Sequence, residues 1–331
     1  MADLSRLRRR CRSLGDDRAQ VILVAAFVMA VTFVMLALVV NSAIFTENLA
    51  SRGETAGSDD ALLVRQSIEQ STGHAIEYAN THNASDTTTL ATSLDESVGT
   101  LSALSGAHHA SGGKVVSVAG PTDIENGTRV RDDAPGGSSF ENASEGNATS
   151  VDWRVAQGVA ETRAYRMNVS GVNRTGNFGG PADQFRVRIE DGAGATWIMN
   201  VTHDTADGTY KIGVEDGAGR QGVCAVDDGV DYFHVDLTAG LVDGAPCPAL
   251  SFGEGVSEPY EIAYEEGDEV TGNYSLVVGD DATSNGNLPS SSTGDDPYAT
   301  PAIYAANVTY RYDGAKLRYE TTIRVAPGEP P

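Results

Sequence analysis

Apolar and polar positions divide the chain into three textures. From Val21 to Val40, VILVAAFVMAVTFVMLALVV, no residue carries a charge and Thr32 is the one clearly polar side chain. As a helix rising about 1.5 Å per residue, this run is roughly 30 Å long, the thickness of a bilayer's hydrocarbon core. A helix buried in a soluble core keeps a polar outer face, and this run has none. It predicts a transmembrane helix over 20–45, with the lipid bilayer as the partner of residues 21–40.

Beyond the span the period becomes that of amphipathic helices. Gly53 and Gly57 predict a break, with Ser58 or Asp59 capping a new start. From Asp60 to Tyr78, Ala61, Val64, Ile68, Ala75 and Ile76 recur at helical spacing. A weaker segment, Thr89 to Leu104, presents Leu90, Leu94, Val98, Leu101 and Leu104. Residues 46–112 therefore read as a helical stalk.

The third texture, 113–326, alternates with period two between Gly, Asp and Asn clusters. Strands are expected at Val151–Val155, Arg163–Val169, Gln184–Ile189, Thr196–Thr202, Thr209–Val214, Gly222–Val226 and Tyr232–Leu237. Four more are expected at Tyr260–Tyr264, Asn273–Val278, Ile303–Tyr312 and Lys316–Val325, while Arg129–Ser150 reads as a long loop. Glu190-Asp-Gly-Ala-Gly194 recurs as Glu215-Asp-Gly-Ala-Gly219, each between strands, and Asp313-Gly314 separates the last two. Asp-Gly supplies the positive φ angles of a tight reversal, so all three are predicted hairpin turns. Residues 327–331 read as a frayed, flexible tail. The fold class expected is α+β: an N-terminal transmembrane helix with a helical stalk, then a mainly antiparallel β domain, a sandwich or open barrel.

Charge orients the chain. Six arginines (Arg6, Arg8, Arg9, Arg10, Arg12, Arg18) precede the span against three aspartates, and the first charge after it is Glu47. Arginines hold their end in the cytoplasm, which places the C-terminal domain outside the cell membrane. Of 23 basic and 46 acidic residues, the head holds six and three, leaving 17 against 43 from Glu47 onward, a net charge of −26. Only Lys114, Lys211 and Lys316 are lysines. Such Lys-poor acidic surfaces look like those of proteins from extremely halophilic archaea; at about 1 M salt the Debye length is near 3 Å and self-repulsion is screened. The balance excludes nucleic acid and anionic membrane surfaces as partners.

Cysteines and asparagines fit export. Cys11 lies in the head, whereas Cys224 and Cys247 are both beyond the span, where a disulfide can form; two buried thiols are the alternative. Nine of the fifteen asparagines begin Asn-x-Ser/Thr sequons: Asn83, Asn126, Asn142, Asn147, Asn168, Asn173, Asn200, Asn273 and Asn307. Chance pairing with Ser and Thr accounts for about three. All nine follow the span and are candidate glycosylation sites.

Catalytic and cofactor motifs are weak. Gly217-Ala-Gly219-Arg-Gln-Gly222 matches G-x-G-x-x-G, but the apolar run after it reads as a strand where a nucleotide site needs a helix. The six histidines form no H-E-x-x-H motif, and no G-x-S-x-G nucleophile elbow occurs. Asp227, Asp228, Asp231, Asp280 and Asp281 are acidic enough to hold calcium but lack EF-hand spacing. The expectation is a protein without cofactor, metal or catalytic site.

Arg18-Ala19-Gln20 runs directly into the apolar helix. That arrangement resembles the class III signal peptide of archaeal type IV pilins and pilin-like proteins. The resemblance covers residues 15 to 45. It implies cleavage after Ala19 to leave Gln20 as the new N-terminus, with 1–19 a cytoplasmic leader. It also implies a prepilin peptidase and other pilin-like subunits as partners. Many pilins carry Glu five residues into the mature chain, where this chain has Val24, so cleavage is implied more directly than filament packing. The expected function is a membrane-anchored, glycosylated, pilin-like surface protein with a structural or adhesion role. The alternative is a solitary anchored module binding carbohydrate, ion or protein; an extracellular enzyme is a third class with no catalytic constellation behind it.

Overall fold

The computed structural model describes residues 4–82, 84–142, 151–173, 184–217, 219–280, 282–284, 288–291 and 297–329, with backbone alone at 4–21, 43–57, 220–221 and 283–284. The chain divides into two compact units, 1–63 and 64–331.

The first unit is helical. Helix α1 spans Leu4–His82 and passes through Gly53 and Gly57 without the expected break. A single glycine costs a helix interior only about 1 kcal/mol, which neighbouring turns absorb. The stretch Ile22–Ser42, 21 residues of mean hydropathy 2.9, is long and apolar enough to cross a membrane, and none of its side chains is buried. Within it Thr32 turns its hydroxyl back onto the Val28 carbonyl at 2.8 Å, so that group is satisfied inside the helix; Asn41 and Ser42 are the other polar residues, at its C-terminal end.

The second unit is a β-sandwich with helix on one outer face. Its strands are β1 Val115–Asp132, β2 Ser138–Ser139, β3 Trp153–Val159, β4 Thr162–Val172, β5 Arg186–Asp191, β6 Thr196–Asp204, β7 Thr209–Asp216 and β8 Gly219–Asp227. They continue with β9 Phe233–Asp236, β10 Leu241–Val242, β11 Ala245–Pro246, β12 Tyr260–Glu265, β13 Val270–Gly279, β14 Thr283–Ser284, β15 Tyr298–Asp313 and β16 Arg318–Val325. One sheet runs β11-β10-β9-β4-β13-β1-β15-β16 with β2 beside β13; the other runs β14-β3-β12-β5-β6-β7-β8. Every pairing is antiparallel. The EDGAG repeats do sit at the β5–β6 and β7–β8 reversals, and Asp313-Gly314 at β15–β16. In the first repeat the Asp191 carboxylate accepts the Ala193, Ala195 and Ser257 N–H groups, which holds its pKa below the usual carboxylate value.

Alternation builds the core. Val187 and Ile189 of β5, Met199 and Val201 of β6, and Ile262 and Tyr264 of β12 face Tyr165, Met167, Tyr274 and Leu276 of the larger sheet in one cluster. Phe140 lies at its centre, with ring centroids 4.8 Å from Tyr274, 5.3 Å from Phe185 and 5.7 Å from Tyr264. The disulfide Cys224–Cys247 joins the edge strand of the smaller sheet to the turn after β11, with Cα atoms 6.0 Å apart.

Helix packs on the far face of the larger sheet. Val64, Ile68, Ile76 and Ala79 of α1 are buried. Asn80 completes a strand-like pair: its Nδ2 donates to the Ile303 carbonyl at 2.9 Å and its Oδ1 accepts the Ile303 N–H at 2.7 Å. Helix α2, Thr87–Ala110, starts at Asp86, whose carboxylate accepts the Thr89 N–H and hydroxyl. Leu90, Leu94 and Val98 are buried, while Leu104 is exposed.

Two further expectations change. The loop expected from Arg129 is strand to Asp132, because β1 runs between β13 and β15 and its register shifts absorb the Gly, Pro and Asn of its middle. The tail expected to fray from Pro327 is tied down as far as Glu329. Ala164 N–H donates to the Gly328 carbonyl at 3.1 Å, and the buried Arg163 bridges to Glu329 at 3.1 Å while its guanidinium lies 3.8 Å over the Tyr304 ring.

Candidate functional site

A cavity of about 470 Å³ is lined by residues of β1, β4, β9, β10 and β13 of the larger sheet. Alternation decides which side chains line it. Val130 and Met167 point into the core, so Arg129 and Arg131 of β1, and Arg166 and Asn168 of β4, point out. Register then aligns them in rows. Arg131 pairs with Ser275, Ser275 with Arg166, and Arg166 with Asp236; one row on, Asn273 pairs with Asn168 and Asn168 with His234. Gly272 starts the β13 segment at a register shift with φ +155, and a Cβ there would collide with the Asn168 carbonyl oxygen. Glycine at that position is what lets the two asparagines lie side by side.

The charges are unevenly matched. Arg166 Nε meets Asp236 at 2.9 Å and its Nη2 meets Glu77 at 3.0 Å. Burial alone would lower that guanidinium's pKa, yet the hydrogen bond to Asp236 and the charge of Glu77 raise it. Arg131 lies 3.6 Å from Asp133 and 4.7 Å above the Tyr298 ring. Tyr298 donates to Asp133 at 2.8 Å; burial first and that bond second push its phenol up to about 12. Asp132 is buried and accepts from the Ala134 N–H and the Ser138 hydroxyl. Arg129 differs from its neighbours. Its Nε donates to Ser275 Oγ at 2.7 Å and its Nη1 to the Asn80 carbonyl at 3.1 Å, and no described carboxylate lies within ion-pair distance. Burial, then repulsion from Arg131, pulls its pKa down to about 10.

Three of the lining residues also leave buried polar atoms without a hydrogen-bond partner, Arg131 Nε, Asn168 Oδ1 and the Tyr274 hydroxyl. Each such atom costs about 1–3 kcal/mol if left unmet. The groove is thus a largely apolar hollow in which Arg129, Arg131 and Arg166 share the lining with Asp132, Asp133 and Asp236, and in which Arg129 alone is outside ion-pair distance of a described carboxylate.

The residues singled out in the sequence lie mostly elsewhere. Ala19 and Gln20 fall within helical backbone of α1. Asn83 and Asn147 lie outside the described residues. Asn142 and Asn200 are buried, at 0% and 3% exposure, which closes them to a glycosylating enzyme in the folded state. Asn126 and Asn307 are half-buried and Asn173 is exposed. Asn168 and Asn273 line the groove, where the Asn273 Nδ2 donates to the Ala134 carbonyl. Asp227 accepts the Gly229 N–H and Asp228 meets His203 at 3.0 Å, while Asp281 is outside the described residues. Among the described residues no group of three or more His, Cys, Asp or Glu side chains is placed to hold a metal ion. Gly219 opens β8, so strand and not helix follows the glycine-rich turn. The groove itself escaped sequence reading. Its one local signal was the alternation Arg129-Val130-Arg131; that Arg166 joins them depends on register through β13.

Residues 15–140, which include most of α1, all of α2, β1 and β2, match the model of a family described as a family of unknown function, DUF7261. The match includes Arg129 and Arg131 and stops before Arg166. No curated protein and no solved structure matches the chain.

Proposed function

We propose that the chain is a single-pass membrane protein with its N-terminus in the cytoplasm and its β-sandwich displayed on the cell surface, in a structural or adhesion role. The observation that carries this reading is the 21-residue apolar helix Ile22–Ser42 with every side chain exposed. In water that surface is unfavourable at roughly 25 cal/mol per Å², and a bilayer removes the penalty. The arginines before the span, the disulfide after it and the sequons beyond it all support the same side for the sandwich. Occupied sequons are expected at Asn126, Asn173 and Asn307, and not at the buried Asn142 and Asn200.

Within this reading the protein is pilin-like, cut after Ala19 by a prepilin-type peptidase to begin at Gln20. N-terminal sequencing and intact-mass measurement of membrane-purified protein test it. A Gln20 terminus supports the pilin-like branch; a terminus at Met1 or Ala2 rejects it. A second reading, an anchored binding module, is favoured by the arginine groove, which a purely structural subunit does not require.

A further inference from the structure

The groove deepens the binding-module reading, on which this inference rests. Three guanidinium groups gather on one face of β1 and β4 in an exported portion with only 17 basic residues against 43 acidic ones. Two of the three are ion-paired to carboxylates; Arg129 is held between Ser275 and the Asn80 carbonyl, and among the described residues no carboxylate lies within ion-pair distance of it, although the charge of Asp133 still reaches it. Burial first, then repulsion from Arg131, lowers the basicity of Arg129, and a bound anion would relieve the second of these. An oxyanion alone would leave most of the roughly 470 Å³ empty. The remaining wall combines Leu241 and the arginine stems with hydrogen-bonding groups from Asn168 and His234, while its carboxylates are engaged, Asp133 with Arg131, Asp236 with Arg166 and Asp132 with Ala134 and Ser138. A sugar ring presents that same mixture, C–H faces and hydroxyl edges.

We propose that this groove binds a carboxylated sugar of the hexuronate class, with the carboxylate between Arg129 and Arg131 and the hydroxyls toward Asn168 and His234. A guanidinium donates two parallel hydrogen bonds to the oxygens of a carboxylate, a charged pair that a neutral sugar cannot form. The hydroxyls would meet the polar groups that Asn168 and His234 present to the groove, which a simple aliphatic acid cannot do. Occupation of the groove by ligand also requires that Asn168 and Asn273 carry no glycan.

The test uses full-length protein in detergent at constant potassium chloride, with equilibrium dialysis of radiolabelled glucuronate and galacturonate. One saturable site is expected for at least one of them, with glucose, acetate and sulfate each competing at least tenfold less well. Arg131→Gln and Arg129→Gln should each weaken binding at least tenfold and Asn168→Ala severalfold. Arg318→Gln, whose residue pairs with Asp313 on the last hairpin, should bind like the parent. Melting curves identify any variant that fails to fold; if Arg129→Gln does, Arg131→Gln and Asn168→Ala decide. The proposal is overturned by the absence of saturable binding to either uronate, by acetate or sulfate competing equally, or by folded Arg131→Gln binding normally. A glycan found on Asn168 or Asn273 by peptide mass mapping also overturns it. Because binding is read in detergent, its failure leaves the anchored topology standing, and a wrong topology leaves the binding result standing.

Discussion

The apolar helix and the β-sandwich are stabilised by opposite surfaces. Ile22–Ser42 has exposed apolar side chains all round and no interior of its own. The unit from Val64 onward buries its apolar residues between two sheets and turns a strongly acidic exterior outward. On the proposed reading each surface suits one solvent: the first hydrocarbon, the second concentrated salt. One chain therefore answers to two environments, and a change of solvent should unfold one region while leaving the other intact.

Salt should produce the largest separation. Both tryptophans, Trp153 and Trp197, are buried in the sandwich, so their fluorescence reports that unit alone. On dialysis of detergent-solubilised full-length protein from molar potassium chloride into dilute buffer, the emission should shift to that of exposed indole and return when salt is restored. Far-UV helical signal should survive in part throughout. Emission indifferent to salt would show that the acidic surface is well paired or well spaced, and that the comparison has the wrong second solvent.

The converse change acts on the helix. Val31→Arg with Phe33→Arg places two charges near the middle of the span, at about 5–7 kcal/mol in total against insertion. The doubly substituted protein should leave the membrane fraction while the tryptophan emission of its sandwich is unchanged. Retention in the membrane would mean that other parts of the chain hold it there.

Within the sandwich, Phe140→Ala removes the ring around which Phe185, Tyr264 and Tyr274 pack, and should cost about 3–5 kcal/mol in denaturant unfolding. A cost below 1 kcal/mol would place the centre of the core elsewhere. Cys224→Ser with Cys247→Ser opens a bridge of sequence separation 23 and should cost about 3 kcal/mol.

Much of this architecture was legible locally. Strand positions followed from period-two alternation, and the two Glu-Asp-Gly-Ala-Gly stretches from the φ demands of hairpin turns. What failed to show depended on partners distant in sequence. β1 resumes its pairing with β15 beyond Gly120 and Pro121 through a register shift and is flanked on both sides from Gly127 on, and Asn80 finds the Ile303 backbone across the fold. The groove depends on register in the same way: Arg129 and Arg166 share a face only because β13 aligns both of their strands. The helix break expected at Gly53 and Gly57 failed for a different reason, since propensity is a weak preference that a long helix overrides.

A smaller effect separates local wiring from the acidic surface as a whole. Asp191 is depressed by backbone N–H donors and not by a cation, so its contribution should survive changes in salt. A depressed carboxylate stabilises the fold above its unfolded pKa, near 3.9, and that stability is lost as pH falls through the folded value. Asp191→Ala should therefore melt below the parent at pH 7 in molar salt, and the gap should narrow below about pH 4. A gap unchanged with acid would mean that the charged form of Asp191 is not what the Ala193, Ala195 and Ser257 N–H groups hold.

The central claim, one crossing with the sandwich outside, can be read from three lysines. The arginine-rich head contains none, and Lys316 is exposed at the last hairpin. A membrane-impermeant amine reagent applied to intact cells in salt-matched medium should modify Lys316 as fully as it does after lysis, as read by peptide mass mapping. Labelling of Lys316 only after lysis would put the sandwich in the cytoplasm and contradict the account.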